Sequence, residues 1–147
     1  MLTVSAADLA AILTEAAAAY PEECCGLLVG ERPAPGDAGD ARVLAVLPAR
    51  NLDPEPRRGY DIDPHALLAG HRGARERGRE VVGYYHSHPD GAAVPSRRDR
   101  AAALPLASYL IVPVPGGEPG PARSYRLGDG GEMVEEAVEV VAEVVAS

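Results

Sequence analysis

The run Glu80-Val81-Val82-Gly83-Tyr84-Tyr85-His86-Ser87-His88-Pro89 decides how this chain is read. Valine and tyrosine over 80–85 predict a β-strand that runs into His86. Strand side chains alternate faces, so His86 and His88 point the same way. Two imidazoles on one face at a strand end begin a metal site. A loop from Pro89 to Pro95 follows, and then Ser96-Arg97-Arg98-Asp99. That tetrad is a capping box, with Ser as the cap and an acid at the third position, and it opens a short helix to about Leu104. Each half has a bland reading: a satisfied histidine pair, and a plain capped helix. Together they place an oxygen ligand, Asp99, on a rigid helix start near two nitrogens. Two His and one Asp leave the fourth tetrahedral position to water, as catalytic zinc is held; structural zinc is usually closed by four protein ligands.

Working outward, Ser5-Ala6-Ala7-Asp8 marks a helix start. Leu9, Ile12, Leu13, Ala16 and Tyr20 keep helical spacing up to Pro21. Cys24 to Val29 reads as a short buried strand, and Arg42 to Leu47 as a second. Glu31 to Asp40, rich in Pro, Gly and Asp, reads as a mobile surface loop, either a lid or a tolerated insertion. Asp63-Pro64 pairs a cap with a proline at the first helical position, and the helix runs to about Arg77 before Gly78. Ser108 to Val114 and Arg123 to Leu127 are strands, and Gly128-Asp129-Gly130-Gly131 is a hairpin signal. Glu132 to Val145 fits both periods and is taken as a strand with a frayed or helical tail. No repeat or long linker divides the chain, so residues 1–147 are expected to form one domain.

Composition bounds the function. A length of 147 residues suits one domain. Hydrophobic residues, at 46%, suffice for a core and exclude a wholly disordered chain. With no Trp and no Phe, that core falls to Ala, Val, Leu, Ile and the 6 Tyr. A net charge of -8 argues against nucleic-acid binding, which rests on clustered cations. No apolar run is long enough to span a bilayer, and Met1-Leu2-Thr3-Val4 lacks the basic start of a signal peptide. The expectation is a cytoplasmic protein without membrane or nucleic-acid partners. Cys24 and Cys25 are adjacent and have no other partner, so they read as reduced core residues. His65 and His71, in the 64–77 helix, read as surface residues, and Arg72, Arg75, Arg77 and Arg79 as a solvated face.

One more feature completes a pattern. Glu23-Cys24-Cys25-Gly26-Leu27-Leu28-Val29-Gly30, then His86-Ser87-His88-Pro89, then Ser96-Arg97-Arg98-Asp99, resembles the JAMM (MPN+) metalloprotease motif. That motif is an upstream Glu, His-x-His, seven residues, Ser, two residues and Asp; all five positions are filled. The resemblance spans about residues 3–140. It implies an α+β chain of the MPN fold, a mixed curved β-sheet flanked by helices with cytidine-deaminase-like architecture. It implies one zinc per chain on His86, His88 and Asp99. It further implies Glu23 as general acid/base, in preference to its neighbour Glu22, and Ser96 as the hydrogen-bond donor to the oxyanion.

Family substrates are amide bonds after the C-terminal Gly-Gly of ubiquitin or a ubiquitin-like protein. This short chain looks most like compact prokaryotic members, whose implied partners are β-grasp sulfur carriers. A Gly-Gly tail needs a narrow groove, and Arg58-Gly59-Tyr60-Asp61-Ile62 is a candidate wall. The alternative is a non-catalytic MPN module that only binds such a partner, although its usual mark, loss of a ligand or of the Glu, is absent. The nucleobase deaminase signature H-x-E…P-C-x-x-C is also absent, and the acidic balance argues against a DNA-repair relative. Oligomeric state, the particular substrate and the peptide-versus-isopeptide preference are not written in the sequence.

Overall fold

In a computed structural model that describes residues 1–33 and 40–147, eight strands form one mixed sheet. Strand β1 (Leu2–Ser5) leads directly into helix α1 (Ala6–Ala19). The Ser5 hydroxyl accepts the Asp8 N–H at 3.1 Å and so caps the helix. Then follow β2 (Cys25–Glu31), β3 (Ala41–Ala49), helix α2 (Pro64–Glu76), β4 (Glu80–Pro89), helix α3 (Arg97–Ala102), β5 (Ser108–Val114), β6 (Arg123–Leu127), β7 (Met133–Glu136) and β8 (Val138–Val141). The expected loop at 31–40 lies largely outside the described residues.

The strand order is β7-β6-β5-β4-β2-β3-β1-β8. β4 and β5 run parallel, as do β1 with β3 and β1 with β8; the other pairs are antiparallel. Only Ala137 separates β7 from β8, yet these are the two outermost strands. The sheet therefore curls until its edges meet, and Ala137 itself accepts the Leu2 N–H at 2.8 Å. This explains the ambiguous period of Glu132–Val145: one extended segment passes from one sheet edge to the other. Beyond it, no helical tail forms in residues 142–147. β1 was not foreseen, and α3 ends two residues before the expected Leu104. Leu2 to Ser5 offered too few residues to establish alternation.

The two sheet faces are covered by different helices. Ile12 and Ala16 of α1 pack with Leu28, Val43, Tyr85, Leu110 and Val112, all buried. α2 lies on the opposite face, with Gly70 set against Leu27 and Leu47. Residues 27 and 28 thus serve opposite cores, as a strand buried on both faces requires. Cys24 and Cys25 are free and buried in this region, and burial pushes both thiols up to about 12. No helix among the described residues is long and apolar enough to cross a membrane.

Candidate active site

β2 and β4 carry the site because of their register. Cys25 lies opposite His86 in an antiparallel ladder. Ser87 N–H donates to the Cys24 carbonyl at 3.2 Å, while Cys24 N–H donates to Ser87 Oγ at 2.8 Å. Continuing the register by one more residue sets Glu23 across from His88. Ser87 is fully buried on the α1 side, which leaves His86 and His88 together on the other face.

Three side chains meet there. Asp99 Oδ2 lies 3.1 Å from His86 Nε2 and 3.0 Å from His88 Nε2, and the two nitrogens are 3.1 Å apart. The same Asp99 oxygen accepts the Ser96 N–H at 2.9 Å. Ser96 Oγ accepts the Asp99 N–H at 3.0 Å, so the capping box is complete. A hydroxyl has two lone pairs and one hydrogen, so Ser96 remains free to donate. Candidate ligand atoms of Glu23, His86 and His88 all lie within 4.8 Å of one another. Glu23 is buried whereas Glu22 is exposed. The five candidate positions are therefore brought to one place. His65 and His71 are exposed, and so are Arg72, Arg75 and Arg77.

The electrostatics suit a cation. Burial pushes Glu23 up to about 7, partly offset by His88 and reinforced by Asp99. Burial likewise lowers His86, despite its bond to Asp99. At Asp99 burial opposes ionisation, but the two imidazoles outweigh it and hold the carboxyl well below the usual carboxylate range. Glu23 Oε1 and His86 Nδ1 are buried with no hydrogen-bond partner among the described residues. His88 Nδ1 is 2.8 Å from the Ala92 carbonyl. That contact requires the proton on Nδ1, so His88 in its neutral form keeps Nε2 as the nitrogen free to ligate a metal; ligating histidines are commonly oriented in this way. Two nitrogens and a carboxylate oxygen around one point match the donor set of zinc.

A profile of prokaryotic homologues of the JAB domain matches residues 5–128. The chain belongs to this prokaryotic JAB family. Among its JAB relatives, desampylase of Haloferax volcanii is 40% identical over 93 residues, 62% of this chain and 62% of that protein. The chain thus spans less than two thirds of desampylase. A probable TtuB-protein conjugate cleaving protease of Thermus thermophilus is 35% identical, over 76% of this chain and 74% of its own. CysO-cysteine peptidase of Mycobacterium tuberculosis is 32% identical, over 96% and 92%. A solution structure from Desulfitobacterium hafniense superposes with a TM-score of 0.82 at 34% identity, covering 98% of this chain and 95% of that one. A JAB1/MPN domain protein from Archaeoglobus fulgidus shares the fold, with a TM-score of 0.59 at 20% identity, over 96% and 97%. The mixed, curved sheet with flanking helices is thus the JAB/MPN fold expected from the motif.

Several residues beside the JAB site escaped the sequence reading. Asn51 bonds the Glu23 carbonyl, and Asp53 pairs with Arg98. The only local signal for them is the turn-forming run Asn51-Leu52-Asp53-Pro54. Tyr60, in the candidate groove wall, stacks on His86 with ring centroids 4.3 Å apart. Ile62, Leu67, Tyr84, Leu104 and Tyr109 line an apolar hollow beyond it.

Proposed function

We propose that this chain is a zinc-dependent peptidase or isopeptidase that hydrolyses the amide bond after the C-terminal Gly-Gly of a ubiquitin-like or sulfur-carrier protein. One observation carries the reading: Asp99 Oδ2 stands at 3.0–3.1 Å from two imidazole nitrogens, with the buried Glu23 carboxylate close by. His86, His88 and Asp99 would hold the zinc. When bound, zinc acidifies water and polarises the scissile carbonyl.

The chain's own residues supply the rest. Glu23 Oε1, which has no hydrogen-bond partner among the described residues, takes a proton from the attacking water, whose oxygen bonds to the carbonyl carbon. The Ser96 hydroxyl donates to the carbonyl oxygen as charge develops there. Glu23 then passes the proton to the nitrogen as the carbon–nitrogen bond breaks, so one carboxylate acts first as base and then as acid. Tyr60 narrows the approach beside His86, which suits a tail without side chains.

The names of the relatives support the substrate class: a desampylase, a TtuB-protein conjugate cleaving protease and a CysO-cysteine peptidase. In the test, zinc-loaded protein is incubated with β-grasp carriers extended beyond Gly-Gly, and products are weighed by mass spectrometry. Release of a carrier ending in Gly-Gly by wild type but not by Glu23→Gln is expected. Binding without cleavage would replace the enzyme with a docking module.

A further inference from the structure

Both backbone polar groups of Glu23 are held by one distant loop. Residues 50–63 close on themselves: Asp63 N–H donates to the Arg50 carbonyl at 3.0 Å, and Leu52 N–H to the Asp61 carbonyl at 2.8 Å. Asp53 Oδ1 accepts the Glu55 N–H at 2.8 Å inside the loop. Close ends and internal side-chain bonds make this an Ω-type loop.

Asn51 is its hub. Oδ1 accepts the N–H groups of Asp53 and Asp61, each at 3.0 Å. Nδ2 donates to the Gly59 carbonyl at 3.0 Å and to the Glu23 carbonyl at 3.1 Å. A primary amide has two donors and two acceptor lone pairs, so every one is used. Glu23 N–H in turn donates to the Pro56 carbonyl at 2.8 Å. The same loop grips the ligand side of the site. Asp53 pairs with Arg98, next to Asp99, and Tyr60 lies on His86.

Among the described residues the Glu23 side chain is not located by hydrogen bonds of its own, since its buried Oε1 has none. Its aim is set by the backbone from which it springs. We propose that Asn51 is a positioning residue: its amide fixes the Glu23 backbone, and so keeps the carboxylate within reach of the His86 and His88 nitrogens. This rests on the reading of Glu23 as the acid/base.

Asn51→Asp tests it. The change keeps Oδ1 for Asp53 and Asp61 but replaces the donor to Glu23 and Gly59 with an acceptor. Asn51→Ala removes both halves and serves as the variant in which the loop itself is lost. With the zinc-loaded protein and a Gly-Gly-extended carrier, Asn51→Asp should lower kcat by about 100-fold, the scale of an ångström-sized misplacement. KM and zinc per chain should stay at wild-type values. Amide exchange, which needs no substrate, should show the Glu23 N–H losing protection while Leu27 and Leu28 keep theirs. Wild-type kcat with wild-type protection at Glu23 overturns the proposal, as does a kcat loss that merely follows zinc loss. A wild-type protein that cleaves nothing would overturn the parent reading instead. The exchange result would then still decide whether the loop organised by Asn51 holds Glu23, since the Pro56 carbonyl of that loop accepts the Glu23 N–H.

Discussion

His86, His88 and Asp99 come from one short stretch of chain, and their nitrogens and oxygen meet one another. Glu23 comes from the segment just before β2, and its buried Oε1 has no hydrogen-bond partner among the described residues. The first group forms its own polar network around a capped helix start. The second is a desolvated carboxylate, carried to the site by strand register and clamped through its backbone. The Asp99 pole thus has its carboxylate hydrogen-bonded, while the Glu23 pole has a carboxylate oxygen with no partner among the described residues. The unsatisfied pole is the one proposed to exchange protons, and a group that must take and return a proton gains from having no fixed partner.

The sharpest test of this contrast pairs two substitutions. His88→Ala should bring cleavage to the background rate and release zinc, as metal analysis of the dialysed protein would show. Glu23→Gln should lower kcat by about 10²–10⁴-fold, the usual contribution of a general acid–base, yet leave zinc in place. If Glu23→Gln also loses the metal, Glu23 is a ligand and the division into two poles fails.

Ser96 belongs to the satisfied pole but is proposed to act on the substrate. Ser96→Ala removes a donor whose loss costs about 10²–10³-fold in kcat, and also a helix cap worth about 1 kcal/mol. Ser96→Thr keeps a hydroxyl at the same place and should recover most of the rate. Wild-type kcat in Ser96→Ala, measured at matched zinc content, would leave Ser96 a cap and nothing more.

The two poles also differed in how far they could be read from sequence. His86-Ser87-His88 and Ser96-Arg97-Arg98-Asp99 are local patterns, and strand alternation and capping chemistry predicted their geometry. β2, α1, α2, β5 and β6 were legible for the same reason, since hydrophobic period and turn residues lie within each element. Glu23 was chosen over Glu22 by motif register alone; the structural reason, burial at the end of β2, depends on pairing with β4. Asn51 was invisible because its meaning lies in four partners met at once, one of them, Glu23, 28 residues away. The segment 133–141 was ambiguous because it serves both sheet edges, a property of closure that no local window contains.

The unsatisfied carboxylate has a cost in the metal-free protein. Burial raises Glu23 from 4.5 to about 7, so between those values the folded state binds a proton that the unfolded chain has released. Stability from this group is therefore fully present below about pH 4.5 and falls as pH rises to about 7. The full shift corresponds to about 3 kcal/mol. With zinc removed by chelation, wild type should melt lower at pH 8 than at pH 5 by an amount that Glu23→Gln largely abolishes. Parallel pH profiles for the two proteins would show that Glu23 is not desolvated.

Ser87 links the two poles and gives the smallest effect. Its hydroxyl accepts the Cys24 N–H, one residue from Glu23, while its backbone sits between the two histidines. Ser87→Ala leaves that buried N–H without an acceptor, at a cost of about 1–3 kcal/mol. The backbone bond from Ser87 N–H to the Cys24 carbonyl survives, so the register of β2 against β4 should hold. The melting temperature should fall, while zinc per chain stays unchanged and kcat drops far less than in Glu23→Gln. A collapse of activity at full zinc occupancy would show that Glu23 is aimed through β4 rather than through the 50–63 loop, and the separation of the poles would have to be redrawn along the strand.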